Sequence, residues 1–79
     1  PFHFARHFRA AFGLPPHAYV LKLRMDTARA LLEGGVASVG EVAGRVGMPD
    51  LQGFSRAFRR CHGVAPTEVM PRTDRARFA

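Results

Sequence analysis

Residues 38–66 read SVGEVAGRVGMPDLQGFSRAFRRCHGVAP, a stretch with the signals of two short helices joined by a tight turn. Ser38 followed three residues later by Glu41 is the pattern of a capping box, which marks the start of the first helix. Gly47 suits the turn because glycine adopts positive φ without steric cost, and Asp50 can cap the second helix. The apolar stripe of the first helix consists of Val39, Val42, Ala43 and Val46. The stretch therefore predicts a helix-turn-helix.

The second helix of this motif is amphipathic, with aromatic residues on one side and arginines on the other. Phe54 and Phe58 are four residues apart and share a face, which we expect to lie in the core. At about 100° per residue, Arg56 falls roughly 200° from Phe54, on the opposite face. Gly63 is expected to end this helix, and residues 66–70 are expected to form a short further helix that opens on a proline.

The same pattern occurs twice in the chain, fifty residues apart. Residues 4–19 read FARHFRAAFGLPPHAY and residues 54–69 read FSRAFRRCHGVAPTEV. The identical pairs are Phe4/Phe54, Arg6/Arg56, Phe8/Phe58, Arg9/Arg59, Gly13/Gly63 and Pro16/Pro66. Since the chain starts directly before the first copy, we expect a first helix-turn-helix unit that lacks its scaffold helix.

Between the two copies the spacing predicts a third helix, from about Pro16 to Glu33. Its apolar stripe is formed by Leu21, Met25, Ala28 and Leu32, and widened by Val20, Leu23 and Leu31. Gly34 and Gly35 are expected to end it. At 1.5 Å per residue this helix would span roughly 25 Å, which is enough to hold two helix-turn-helix units apart.

Composition limits the classes of function. The chain has 79 residues, with 12 Lys and Arg against 6 Asp and Glu, so its formal net charge is +6. This balance favours an anionic partner, and all but one of the basic residues are arginines, which suit phosphate and guanine. The lone Cys61 excludes an internal disulfide and a Cys-rich zinc module, and we expect a small buried thiol there. Without a leader or an apolar run of roughly 20 residues, a cytoplasmic location is expected.

The remaining polar residues give weak signals for chemistry. His3 and His7 have the spacing of metal ligands on a helix, but no third ligand stands near them, so we expect no metal and no cofactor. Cys61 and His62 are adjacent and would point about 100° apart on a helix, which does not suit a catalytic pair. Ser55 has no neighbouring base. We therefore expect no catalytic residue and no enzyme activity.

Taken together, these residues resemble the C-terminal DNA-binding domain of AraC/XylS-type bacterial transcription regulators, over roughly residues 2–70. The linker-helix pattern R-x3-A-x2-LL is present at Arg24, Ala28, Leu31 and Leu32. The matching positions of the second unit are Val39, Glu41, Val42, Ala43, Val46, Gly47, Asp50, Phe54, Ser55, Arg56, Phe58, Arg59, Arg60, Gly63 and Pro66. The resemblance implies an all-α, homeodomain-like helical bundle in which a long linker helix joins two helix-turn-helix units.

The resemblance also implies an organisation of the chain. Residues 1–15 would hold the recognition helix of a truncated first unit, 16–35 the linker helix, 36–70 the complete second unit with its short last helix, and 71–79 a basic tail. The positions that depart from the family pattern are Pro15, Met48, Gly53, Val69 and Met70. Gly53 is expected to weaken the recognition helix by up to about 1 kcal/mol relative to Ala.

The function that the resemblance implies is sequence-specific binding of double-stranded DNA, with the recognition helices in the major groove. The residues expected to contact DNA are Phe2, Ala5, Arg6 and Arg9 in the first unit, and Leu51, Gln52, Ser55, Arg56, Arg59 and Arg60 in the second. Arg56 can pair with guanine and Gln52 with adenine, whereas Arg9, Arg59 and Arg60 suit phosphates. Arg24 is expected to be structural and to pair with an acid such as Glu41.

The expected partner is promoter or operator DNA, and the expected location is therefore the nucleoid. RNA polymerase is considered as a second partner. An effector-binding domain is expected outside this segment. Two alternatives remain open. A helical protein-interaction module would use the same faces for a protein partner, without duplex affinity and with a large exposed apolar patch. An accessory domain of an enzyme is the third hypothesis, which only the flanking sequence would reveal.

Overall fold

A computed structural model of the chain describes residues 13–35 and 37–72. Three α-helices follow one another in this part of the chain: α1 (Pro16–Gly34), α2 (Val39–Arg45) and α3 (Leu51–His62). A 3₁₀ helix, Pro66–Val69, comes after them. The fold of the described residues is therefore all-helical, as the sequence predicts. Residues 4–12 of the first copy of the repeat, which include Phe4 and Phe8, lie outside them.

The helix ends follow the local signals of the sequence. The Ser38 side chain caps α2, because its Oγ accepts a hydrogen bond of 3.2 Å from the backbone N–H of Glu41. The Asp50 side chain caps α3 in the same way, and its Oδ2 accepts a hydrogen bond of 3.2 Å from the N–H of Gly53. Each cap satisfies a backbone donor that the first turn of a helix leaves without a partner.

The turn between α2 and α3 is built around Gly47. This residue has a φ of +80°, in the left-handed region that side chains with a Cβ rarely adopt. The chain then bends back, so that the N–H of Met48 donates a 2.8 Å hydrogen bond to the carbonyl of Ala43. The α2–turn–α3 unit is the helix-turn-helix that the sequence predicts.

The core lies where α1 crosses the helix-turn-helix and meets the 3₁₀ helix. Its buried apolar residues are Met25, Ala28, Leu32, Ala37, Val42, Ala43, Val46, Phe54, Phe58 and Met70. Phe54 and Phe58 are fully buried, and their ring centroids lie 5.9 Å apart. This confirms the predicted orientation of α3, which turns its aromatic side to the core.

The predicted width of the α1 stripe was wrong. Val20 and Leu23 are 45% and 48% exposed, whereas Met25 is fully buried. The reason is geometric: at about 100° per residue, Leu23 lies roughly 200° from Met25, on the far side of the helix. Leu31 is partly buried against the core, as expected.

Cys61 is exposed, so the prediction of a buried thiol was also wrong. The next residue, His62, occupies the space between the last turn of α3 and α1, and its side chain is only 12% exposed. Cys61 instead lines the groove beside it. None of the helices in the described ranges is both long and apolar enough to cross a membrane.

Candidate nucleic-acid interface

The side of α3 that faces away from the core is polar and strongly basic. Its exposed residues include Gln52, Arg56, Arg59 and Arg60, and Leu51 at the start of the helix is 49% exposed. The structure thus brings the six predicted residues of the second unit onto one helix, although Ser55 is half-buried. The predicted residues of the first unit, Phe2, Ala5, Arg6 and Arg9, lie outside the described residues.

The arginines of α3 have no acidic partner among the described residues. The ion pairs found there join Lys22 to Asp26 and Arg29 to Glu33, and Asp26 also lies 3.6 Å from Nε2 of His62. None of these contacts involves an arginine of α3. Arg56 and Arg60 lie one turn apart and line a shallow groove beside α1. Their guanidinium groups are therefore available to an anionic partner.

Two of these arginines also have a structural explanation. Arg59 and Arg60 lie in the last turn of α3, where a cation interacts favourably with the helix dipole. Arg56 lies in the middle of the helix and gains nothing from that effect. The argument for a binding face therefore depends chiefly on Arg56 together with Gln52, one turn before it.

The start of α3 explains the unusual glycine at position 53. A Cβ at Gly53 would lie only 2.9 Å from Oδ2 of Asp50, the oxygen that caps the helix. The absence of a side chain therefore leaves room for the capping carboxylate. Helix propensity alone predicts only a loss of stability from this glycine, so the local packing adds an opposing contribution.

His62 is a functional candidate that the spacing of residues in the sequence did not predict. Its ring lies 4.6 Å from the ring of Phe58, centroid to centroid. Its Nε2 is 3.1 Å from the carbonyl oxygen of Met25, and its Nδ1 is 3.4 Å from Nη1 of Arg29. The side chain therefore joins the end of α3 to the middle of α1. The only sequence signal was the repeat, which has Phe12 fifty residues earlier.

Arg24 does not pair with Glu41, contrary to expectation. It faces the other end of α2, where its Nη1 lies 3.6 Å from the position that a Cβ would take at Gly47. Its guanidinium group thus covers the turn of the helix-turn-helix. The side chain is exposed, and it lines a groove together with Arg45 and the exposed Val20 and Leu23.

No group of three His, Cys, Asp or Glu side chains within residues 13–35 and 37–72 is placed to hold a metal ion. The close contacts between titratable groups of this region are Lys22–Asp26, Asp26–His62, His62–Arg29 and Arg29–Glu33, so that neighbouring pairs share a residue. One of these pairs affects a pKa: the hydrogen bond from Lys22 to Asp26, together with the charge of that carboxylate, raises the pKa of the lysine above its ordinary value of 10.5.

The chain is similar to known proteins along most of its length. A family model described as a helix-turn-helix domain matches residues 1–72. The probable transcriptional regulator LumQ of Photobacterium leiognathi is 38% identical over 60 residues, which are 76% of this chain and 24% of LumQ. YidL of Escherichia coli K12, an uncharacterized HTH-type transcriptional regulator, is 41% identical over 69 residues, 87% of this chain and 23% of YidL.

A third relative is the HTH-type transcriptional activator RhaS of Escherichia coli, which is 36% identical over 69 residues, 87% of this chain and 25% of RhaS. These matches define a helix-turn-helix domain of the kind found in transcription regulators. The chain belongs to the AraC/XylS-type helix-turn-helix family. It spans about a quarter of the length of these curated relatives. No solved structure matches it significantly.

Proposed function

We propose that this chain binds double-stranded DNA sequence-specifically, as the DNA-reading domain of a transcription regulator, with α3 inserted in the major groove. The observation that carries the proposal is the exposed face of α3, where Gln52 and Arg56 stand one turn apart on a helix whose opposite side is fully buried. A major groove about 12 Å wide admits a helix of this kind. The family and its relatives, which are named as transcriptional regulators, support the same function.

The residues of α3 divide into two roles in this proposal. Arg56 donates two hydrogen bonds to O6 and N7 of a guanine, and Gln52 pairs with N6 and N7 of an adenine. Leu51 contacts a thymine methyl, and Ser55 contacts a base edge. Arg59 and Arg60, further along the helix, bind phosphates and so hold the domain in position without reading sequence.

The proposal extends to the rest of the chain. Residues 1–15 would supply a second recognition helix, with Phe2, Ala5, Arg6 and Arg9 towards DNA, and residues 36–70 the complete unit. The 19 residues of α1 would separate the two units by about 28 Å. This is close to the roughly 34 Å between successive major grooves. An effector-binding domain would belong to the part of the regulator outside this chain.

The first test is a titration of a labelled random-sequence duplex, followed by fluorescence anisotropy over a series of salt concentrations. We expect log affinity to fall with log salt with a slope of about −4 to −6, because several phosphates are neutralised. Selection of a preferred site from a random library then measures specificity. A chain that is helical by circular dichroism but binds no duplex at low salt would overturn the proposal.

Three arginine variants make the test specific. Arg56→Ala should flatten the preference at one base pair, and Arg59→Ala should lower affinity about equally on all sequences. Arg45→Ala removes the same charge from α2, and its side chain lines a different groove, beside Val20 and Leu23. It should therefore leave the base preference unchanged. Equal effects of Arg45→Ala and Arg56→Ala would show that only net charge matters.

A second candidate function has one observation in its favour. The exposed Val20 and Leu23 on α1 form a small apolar patch, which suits a protein partner. In a regulator that partner could be RNA polymerase, whereas a pure protein-interaction module would have no duplex affinity. Replacing both residues with Gln should leave DNA binding intact if the first proposal is right.

A further inference from the structure

We infer that His62, in its neutral form with the proton on Nε2, is the positioning residue that fixes the recognition helix α3 against the linker helix α1. The inference rests on the proposed DNA binding for its effect on sequence preference, and on the structure for the contact itself. According to this inference, the imidazole of His62 determines the orientation in which α3 presents Gln52 and Arg56 to a base pair.

The two partners of His62 select one tautomer. The Nε2 atom is 3.1 Å from the carbonyl oxygen of Met25, which can only accept a hydrogen bond, so Nε2 carries the proton and donates. The Nδ1 atom is 3.4 Å from Nη1 of Arg29, which can only donate, so Nδ1 is unprotonated and accepts. Only the neutral Nε2–H tautomer satisfies both partners.

The hydrogen bonds of His62 are directional, whereas the apolar contacts between α3 and the core are not. Phe54 and Phe58 hold α3 on the core through apolar packing, which tolerates small rotations because it has no preferred direction. The hydrogen bonds of His62 to Met25 and Arg29 depend on angle as well as distance. They therefore define the rotation and tilt of α3 more narrowly than the buried rings do.

Because His62 lies at the end of α3, a small tilt of the helix there displaces the residues at its start. Gln52 lies ten residues earlier, about 15 Å along the helix axis, so a tilt of about 5° at the His62 end would move it by about 1 Å. Hydrogen bonds to base edges need donor–acceptor distances of about 2.7 to 3.2 Å. A displacement of this size is therefore enough to weaken a specific base contact while contacts with phosphates remain.

The internal repeat supplies an independent argument. The residue at the corresponding position of the first copy is Phe12, which has the same aromatic shape but no polar atoms. The second copy thus replaces an apolar ring with one that has a hydrogen-bond partner for each nitrogen. Packing alone does not require this replacement.

The contact should weaken when His62 is protonated. The added proton on Nδ1 would face the guanidinium of Arg29, which stays positively charged and is paired with Glu33. On the other side, Asp26 lies 3.6 Å from Nε2 and attracts the cation, but its other oxygen is already paired with Lys22 at 2.7 Å. The groove around His62 also contains His17, Arg60 and Cys61. A proton on Nδ1 would therefore remove the acceptor that the ring offers to Arg29.

The first experiment tests the contact without DNA, by ¹⁵N NMR of the 79-residue chain. At about pH 8 the His62 ring should show a protonated Nε2 and an unprotonated Nδ1. The amide resonances along α3, including those of Gln52 and Arg56, should shift in the variant His62→Phe, because it loses both hydrogen bonds to α1. A proton on Nδ1 at about pH 8, or α3 resonances near Gln52 and Arg56 that are unchanged in His62→Phe, would overturn the inference.

The second experiment measures sequence preference with His62→Phe, which keeps the ring and removes both hydrogen bonds. The probes are a duplex selected by the unaltered chain and a scrambled duplex of equal composition. The ratio of the two affinities should fall about five- to ten-fold at about pH 8. The control, His17→Gln, changes an exposed histidine in the same groove and should leave the ratio of the two affinities unchanged.

An unchanged ratio of affinities in His62→Phe would contradict the positioning role. A loss of thermal stability with the ratio intact would make His62 a structural residue only. If the unaltered chain bound no duplex, the proposed function would fail, and the NMR experiment would still decide the state of the His62 contact.

Discussion

The capping of α3 makes a quantitative prediction about two neighbouring residues, Asp50 and Gly53. Removing the cap with Asp50→Ala should lower the free energy of unfolding by about 1 kcal/mol, since the N–H of Gly53 loses its acceptor. Gly53→Ala should by itself change little. Its gain in helix propensity, up to about 1 kcal/mol, is offset because the new Cβ would stand 2.9 Å from the capping oxygen.

The double variant reveals the coupling. Without the carboxylate of Asp50, the Cβ at position 53 has room, so Gly53→Ala should then stabilise α3 by up to about 1 kcal/mol. The four free energies should therefore show a coupling of about 1 kcal/mol. For a domain of this size each kcal/mol corresponds to roughly 4–8 °C in Tm, which circular dichroism resolves easily.

The matched control lies in α2, which has the same kind of cap. A Cβ at Gly40 would lie 4.0 Å from the Ser38 Oγ, in ordinary contact, so Gly40→Ala should stabilise the chain with its cap in place. If instead Gly53→Ala stabilised the unaltered chain as much as Gly40→Ala does, the two substitutions in α3 would be additive. The crowding argument would then be refuted.

Three further predictions concern the core, the binding face and pH. Phe58→Ala should lower the free energy of unfolding by about 3–5 kcal/mol, because the ring is fully buried, and urea titration should find the chain mostly unfolded. In DNA titrations Arg56→Ala should cost about 1–3 kcal/mol on a selected site, and Arg59→Ala should reduce the salt slope without changing the preferred sequence. Because Asp26 raises the pKa of Lys22, this pair stabilises the fold below pH 10.5 and loses its effect as the pH rises through the raised pKa. In an alkaline titration, Lys22→Met should therefore lose less stability than the unaltered chain.

The sequence alone was sufficient for the helix ends and for the side of α3 that faces the core. Ser38, Asp50 and Gly47 act through neighbours three or four residues away, and such short-range patterns are legible without a fold. The spacing of Phe54 and Phe58 determines which side of α3 is buried, and therefore which side is free to bind. The all-helical architecture and the candidate reading face follow from these local rules.

Tertiary structure decided the contacts between elements that are distant in the chain. His62 meets Met25 and Arg29, 37 and 33 residues away, and no periodicity predicts such a pairing. Arg24 lies over Gly47 rather than beside Glu41, because the direction in which α1 crosses α2 determines which end of α2 it reaches. A helix covers only part of its neighbour, so residues of equal hydrophobicity, such as Leu23 and Met25, end in water and in the core respectively.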